Sequence, residues 1–185
     1  MILAYNDTDL VIDESDFSPH VVVVENPSFF REIIMELSNQ ISGLDGNFVF
    51  SNGTKKLDIA KMVELVVNPL AVNANSRKIV NKLYDVVDKV ANNETMYVET
   101  MHLKSELDAY MQKLVYETDY PLDFSSDYSV KALFSAVDLR FDNMDNSALE
   151  RLTTYFEIIS KLTDIKVVVI VNLSNYFELN EMAML

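Results

Sequence analysis

Two short apolar runs constrain this chain more than anything else in it: Val21–Val24, four valines in succession, and residues 166–172, which read KVVVIVN. A half-exposed strand alternates apolar and polar residues, so an unbroken run points to a strand covered on both faces, as in a parallel sheet. Neither run is long enough to cross a bilayer. Each also neighbours a helical pattern. After Val24 comes NPSFFREIIMELSNQISG, in which Phe30, Ile33, Ile34, Leu37 and Ile41 keep helical spacing, with Pro27 suited to a first turn and Gly43 to a stop. Ahead of Lys166, the residues Leu149, Leu152, Tyr155, Phe156, Ile159 and Leu162 make an amphipathic helix. Strand then helix at one end, helix then strand at the other, predicts an α/β fold.

Between these ends the pattern changes twice. Residues 47–59, NFVFSNGTKKLDI, read as a hairpin with Asn52-Gly53 supplying the positive φ of a tight turn, and MVELVVNP reads as a short strand stopped by Pro69. From about residue 75 two helical stripes follow, Ile79, Val80, Leu83, Val86, Val87, Val90 and then Leu103, Leu107, Tyr110, Met111, Leu114. They flank the polar Asn92-Asn93-Glu94 and predict a long α-hairpin, with a shorter helix over Tyr128–Val137. The expected organisation is an α/β head of residues 1–70 and 138–185, interrupted by a helical leg of residues 71–137. The sequence contains no cysteine, which suits a reducing cytoplasm, and MILAYNDTDLVIDESDF has no basic segment followed by an apolar one, unlike a secretory signal.

A strand-then-helix opening raises the question of a nucleotide site. A phosphate loop needs glycines, so that backbone N–H groups can turn to the anion, and a lysine for the terminal phosphates. After Val24 the chain reads Glu25-Asn26-Pro27-Ser28, and Asn172 stands where a magnesium-holding acid is expected in an ATPase. ATP hydrolysis is therefore not expected. His20 and His102 are isolated from any nucleophile or zinc pattern, so their default reading is structural or solvated.

The formal charge of −14 opposes nucleic acid and anionic membranes if it is spread evenly, and favours a basic partner, divalent cations or plain solubility. Its densest grouping is ETDYPLDFSSD, where Glu117, Asp119, Asp123 and Asp127 are interleaved with hydroxyls. Calcium takes about six to eight oxygens on adaptable backbone, and this stretch has that inventory without the EF-hand glycine and terminal glutamate. A solvated loop with Asp127 capping the next helix accounts for the same composition. The scarce cations group as Lys55 and Lys56 after the hairpin turn, and as Arg77, Lys78, Lys82 and Lys89 on the face of a helix away from its apolar stripe. That face is solvated by default, but aligned subunits would make it a local positive surface.

The segments VVVVENPSFFREIIMEL, FVFSNGTKKLDIAKMVELVVNPLAVNANSRKIVNKLY and IKVVVIVNLSNYF together resemble the small CRISPR-associated adaptation protein family of type II-A systems, in matching order through nearly the whole chain. The resemblance implies a head similar to P-loop ATPases without their phosphate loop, carrying an inserted helical leg. It further implies a homotetrameric ring with a positive central hole, which takes up double-stranded DNA ends without sequence preference. Such a ring serves spacer acquisition in antiviral defence, beside the integrase pair and the RNA-guided nuclease, without catalysis of its own. Calcium supports the ring in that family, which makes Glu117, Asp119, Asp123 and Asp127 its candidate ligands here. Lys55, Lys56, Arg77, Lys78 and Lys82 are the DNA-binding candidates. The family pattern continues past KVVVIVN with a helix, another strand and a tail, whereas this chain stops at Leu185, early in that helix. Two competing functions remain: an acidic scaffold for a basic adaptation protein, and a metal-dependent nuclease using the Glu117–Asp127 carboxylates.

Overall fold

The computed structural model describes residues 1–6, 8–13, 19–142 and 147–185. It is mixed α/β and divides into two compact units, Met1–Val72 with Asn146–Leu185, and Asn73–Asp145.

The first unit is built on two sheets. β1 (Ile2–Tyr5), β2 (Val11–Asp13), β3 (Phe48–Asn52) and β4 (Lys55–Lys56) form an antiparallel sheet in the order β2-β1-β3-β4. Alternation along β1 and β3 sends Leu3, Tyr5, Phe48 and Phe50 to one side, where all four are buried. The β3–β4 turn differs slightly from the expected one. Asn52 pairs with Lys55, so the two loop residues are Gly53 and Thr54, and Gly53 at φ +59° takes the first loop position. Positive φ at that position alone is the II′ arrangement, in which glycine carries no Cβ penalty.

Onto the buried side of this sheet packs α1 (Pro27–Ile41), with Ile33 and Leu37 buried in the cluster formed by Leu3, Tyr5, Phe48 and Phe50. Its start and stop are those of the sequence pattern. Asn26 is the N-cap, Pro27 opens the first turn, and Gly43 at φ +90° follows the C-cap Ser42. Burying each large apolar side chain here contributes roughly 1.5–3 kcal/mol against its loss of conformational freedom.

The second sheet pairs β5 (Val63–Val66) with β6 (Val167–Ile170) in parallel, and the short α2 (Ile59–Met62) stands where the expected hairpin gives way to the expected strand. α6 (Ala148–Leu162) buries Leu152, Tyr155 and Ile159. Its start is held by a capping box: Glu150 N–H donates to Ser147 Oγ at 3.2 Å and Ser147 N–H donates to Glu150 Oε2 at 2.8 Å. The Ser147 N–H, and after it the Ser147 hydroxyl, hold the Glu150 carboxyl below its usual range. The Tyr155 hydroxyl donates to Glu64 Oε1 on β5 at 3.0 Å, and burial, then the Glu64 charge, pushes the phenol well above its ordinary value. A 3-10 turn (Leu173–Asn175) and α7 (Leu179–Met182) close the chain.

One expectation fails here. Val21–Val24 enters no ladder, and Val21 and Val23 are 86% and 80% exposed. Among the described residues β6 pairs only with β5, so nothing covers both faces of the valine run, and all four β6 residues are only half-buried.

The second unit contains α3 (Arg77–Ala91), α4 (Tyr97–Glu117) and α5 (Val130–Ala136). α3 packs against α5, with the rings of Tyr84 and Phe134 edge to face at 5.8 Å and Lys131 Nζ 2.6 Å from Asp85 Oδ1. The turn from α3 to α4 is fixed by the buried Thr100, whose hydroxyl donates to Ala91 O at 2.7 Å. Of the expected apolar stripe of α4, Leu107 and Met111 are half-buried, whereas Leu103, Tyr110 and Leu114 are exposed. Thr100, Lys104 and Asp108 join Leu107 and Met111 on the inner side.

Candidate nucleic-acid interface and acidic loop

The five basic candidates fall on two elements, one in each unit. Lys55 and Lys56 form β4, at the end of a tight hairpin, and both are exposed. Successive strand residues point to opposite faces, so the pair presents positive charge on both sides of the hairpin tip. Downstream, Asp58 is already engaged by Lys61 at 2.8 Å, and that lysine holds its carboxyl below the usual range.

Arg77, Lys78 and Lys82 are exposed on α3, with Lys78 and Lys82 one turn apart. Arg77 and Lys78 occupy the first turn, which contains no acidic residue, and the N-cap Ser76 makes no side-chain cap hydrogen bond. A helix N-terminus carries partial positive charge, so cations there oppose stability and reinforce a positive spot suited to an anion. Lys82 also acts on a carboxylate of its own helix. Asp85 is held below the ordinary carboxylate range by Lys131 first and by Lys82 and Lys89 in addition.

The acidic candidates are arranged as an open segment. Glu117 ends α4, and Asp119, Asp123 and Asp127 follow in exposed non-helical chain. Asp123 Oδ1 accepts from the adjacent Phe124 N–H at 2.9 Å, and the Asp127 N–H donates to Ser125 Oγ at 3.1 Å. Asp127 does not cap α5. The N-cap is Ser129, which makes no side-chain cap bond. Among the described residues no three His, Cys, Asp or Glu side chains are gathered as a metal group. As arranged, the four carboxylates do not fit the oxygen shell that calcium requires.

What holds the loop is a contact without a sequence signal. Lys104 Nζ donates to Tyr128 O at 3.0 Å and lies 4.8 Å from the centre of the Tyr128 ring, while the Tyr128 hydroxyl donates to Lys104 O at 3.2 Å. Asp108, one turn along α4, adds to the effect of burial in raising the Tyr128 phenol. Asp108 Oδ1 is the buried side-chain oxygen without a hydrogen bond among the described residues, and it belongs to this clasp and not to the acidic loop. His20 Nε2 lies 2.7 Å from Asp13 O, and His102 Nδ1 lies 3.6 Å from Glu106 on the same helix.

A family model described as CRISPR-associated protein (Cas_Csn2) matches residues 40–185. The chain belongs to that family. A comparison with curated proteins returned no match. The Cas_Csn2 match takes in the Lys55-Lys56 hairpin, all of α3 and α4, the acidic loop and β6, and so covers every candidate site residue. Membership places the chain in CRISPR adaptation, within the type II-A family that the sequence resembles. Among the described residues no helix is long and apolar enough to cross a membrane.

Proposed function

We propose that this protein is a non-catalytic, sequence-independent binder of double-stranded DNA ends that works as a homotetrameric ring in the cytoplasm during spacer acquisition. The observation that carries the proposal is membership of the Cas_Csn2 family together with exposed cations at Lys55, Lys56, Arg77, Lys78 and Lys82. With a chain charge of −14, a duplex is attracted only where such cations are concentrated, which is what a ring of aligned subunits provides. The uncovered Leu103, Tyr110 and Leu114 on α4 support assembly, because apolar residues at helical spacing are stabilised when another surface covers them.

The head is proposed to be of P-loop-ATPase type with its phosphate loop lost. Supporting this, Asn26 Oδ1 accepts from Ser28 N–H at 2.9 Å and from Phe29 N–H at 3.2 Å. The donors that would hold a phosphate at the start of α1 are thus satisfied by the chain itself. Calcium is proposed as a structural ion of the acidic loop, drawing on Glu117, Asp119, Asp123 and Asp127 once the open segment folds around it. The integrase pair and the RNA-guided nuclease are the proposed protein partners.

Fluorescence anisotropy with a linear duplex, with and without calcium, tests the reading. It expects tighter binding with calcium and a steep loss with salt, since neutralised phosphates release counterions. Absence of DNA binding at low salt with calcium present would leave the second reading, a scaffold for a basic partner, which the net acidity favours.

A further inference from the structure

Asn52-Gly53 is the one asparagine–glycine pair in the sequence, and the fold sets it at the tip of the β3–β4 hairpin. We propose that this pair is a self-modifying site. Asn52 turns slowly into aspartate or isoaspartate, and the new carboxylate neutralises Lys55 across the hairpin, an effect on DNA that rests on Lys55 and Lys56 contacting phosphate as proposed above.

The reaction needs an unheld side-chain amide, an unengaged N–H on the next residue, room for a cyclic imide, and water. All of these meet here. Asn52 is exposed, and its side chain makes no hydrogen bond among the described residues. Asn75 is the contrast: its Nδ2–H donates to Phe141 O at 3.0 Å and its Oδ1 accepts from Phe141 N–H at 2.9 Å, which pins both ends of the amide. The Gly53 N–H donates to no backbone carbonyl among the described residues. Glycine brings no Cβ to block the approach, and beyond its chain neighbours nothing lies within 4 Å of where a Cβ would stand. Turning Asn52 toward that nitrogen breaks its pairing with Lys55. Because β4 has just two residues at a sheet edge, that last rung opens at little cost.

The atoms balance with water as the co-reactant. Gly53 N forms a bond to Asn52 Cγ, the Cγ–Nδ2 bond breaks, and the amide leaves as ammonia with the proton from Gly53. Water then opens the imide on either side, giving aspartate or isoaspartate at position 52. Either product carries a negative charge in place of a neutral amide. In the ladder Asn52 stands directly opposite Lys55, where cross-strand Cβ atoms are about 4.5–5.5 Å apart. The carboxylate therefore pairs with Lys55 and withdraws one cation of the hairpin tip from phosphate.

Mass spectrometry of the aged protein tests the site without DNA. After incubation at neutral pH and digestion, the mass gain of an amide-to-acid change should appear at Asn52 ahead of every other asparagine. Absence of that gain from the folded chain, with its presence in urea, overturns the inference, because the turn would then protect the pair. The salt slope of DNA affinity reads the consequence. Asn52→Asp should lower it by about 0.9 per chain engaged, as loss of one phosphate contact does, whereas Asn52→Gln should leave it unchanged. An unchanged slope in Asn52→Asp beside a lowered one in Lys55→Gln overturns the neutralisation of Lys55. Unchanged slopes in both refute the hairpin as a DNA contact, and the mass measurement then decides the modification by itself.

Discussion

Replacing Lys55 and Lys56 together by glutamine removes two positive charges from the hairpin tip and little else. Their backbone pairing, Lys56 with Ser51 and Lys55 with Asn52, is untouched, and both side chains are exposed. Folding stability should therefore stay within about 0.5 kcal/mol of the parent. Binding should not. Each phosphate neutralised by a cation contributes about 0.9 to the slope of log affinity against log salt, so the double variant should lower that slope by about 1.8 per chain engaged. Between about 50 and 200 mM salt, each contact costs the parent about 3.5-fold in affinity and two contacts about 12-fold, and the variant should be spared that much of the decline. Anisotropy titrations of one linear duplex at four or more salt concentrations give the slope. An unchanged slope for this pair, with a reduced one for Arg77→Gln and Lys78→Gln, would remove the hairpin from the interface. Unchanged slopes for both sets would refute phosphate contact by these residues.

Other consequences concern the scaffold. Phe50 is wholly buried under α1, so Phe50→Ala should cost about 3–5 kcal/mol, read as a lower midpoint in denaturant at constant slope. Tyr155→Phe deprives Glu64 Oε1 of a buried donor and should cost about 1–3 kcal/mol. Because the folded state raises the Tyr155 phenol, its contribution is intact below the ordinary tyrosine range and is lost as pH rises above it, so the variant should lose less stability between neutral and strongly alkaline pH. In the second unit, Lys131→Met removes the main cause of the low Asp85 carboxyl, which should then titrate closer to its ordinary value by NMR. A depressed carboxyl stabilises above its unfolded range and stops doing so as pH falls through the folded one. The parent should accordingly lose more stability than Lys131→Met as pH falls from neutral through the carboxylate range.

How much of this was legible in the sequence varied with how local the cause was. The α1 boundaries lay in Pro27 and Gly43, because the signals that start and stop a helix act within one turn of it. The hairpin was legible to within one residue, since Gly53 fixes a turn but not which neighbour shares the loop. Periodicity misplaced the inner face of α4. Of the five apolar residues expected there, Leu107 and Met111 are half-buried but Leu103, Tyr110 and Leu114 are exposed, and the side turned inward also takes in Thr100, Lys104 and Asp108, whose partners lie on other elements. The Lys131–Asp85 pair and the Lys104–Tyr128 clasp join residues far apart in sequence, and no spacing rule foreshadows them. The valine run was read from composition alone, which specifies burial on both faces but not what supplies it.

The central claim, uptake of duplex ends by a ring, is tested most directly by topology of the DNA. The protein should be incubated with one sequence as a linear duplex and as a covalently closed circle, at equal concentration and in calcium. The account expects stable shifts with the linear form, little with the closed circle, and loss of the linear complex when both ends are blocked by bulky caps. Equal affinity for linear, capped and circular DNA would contradict it.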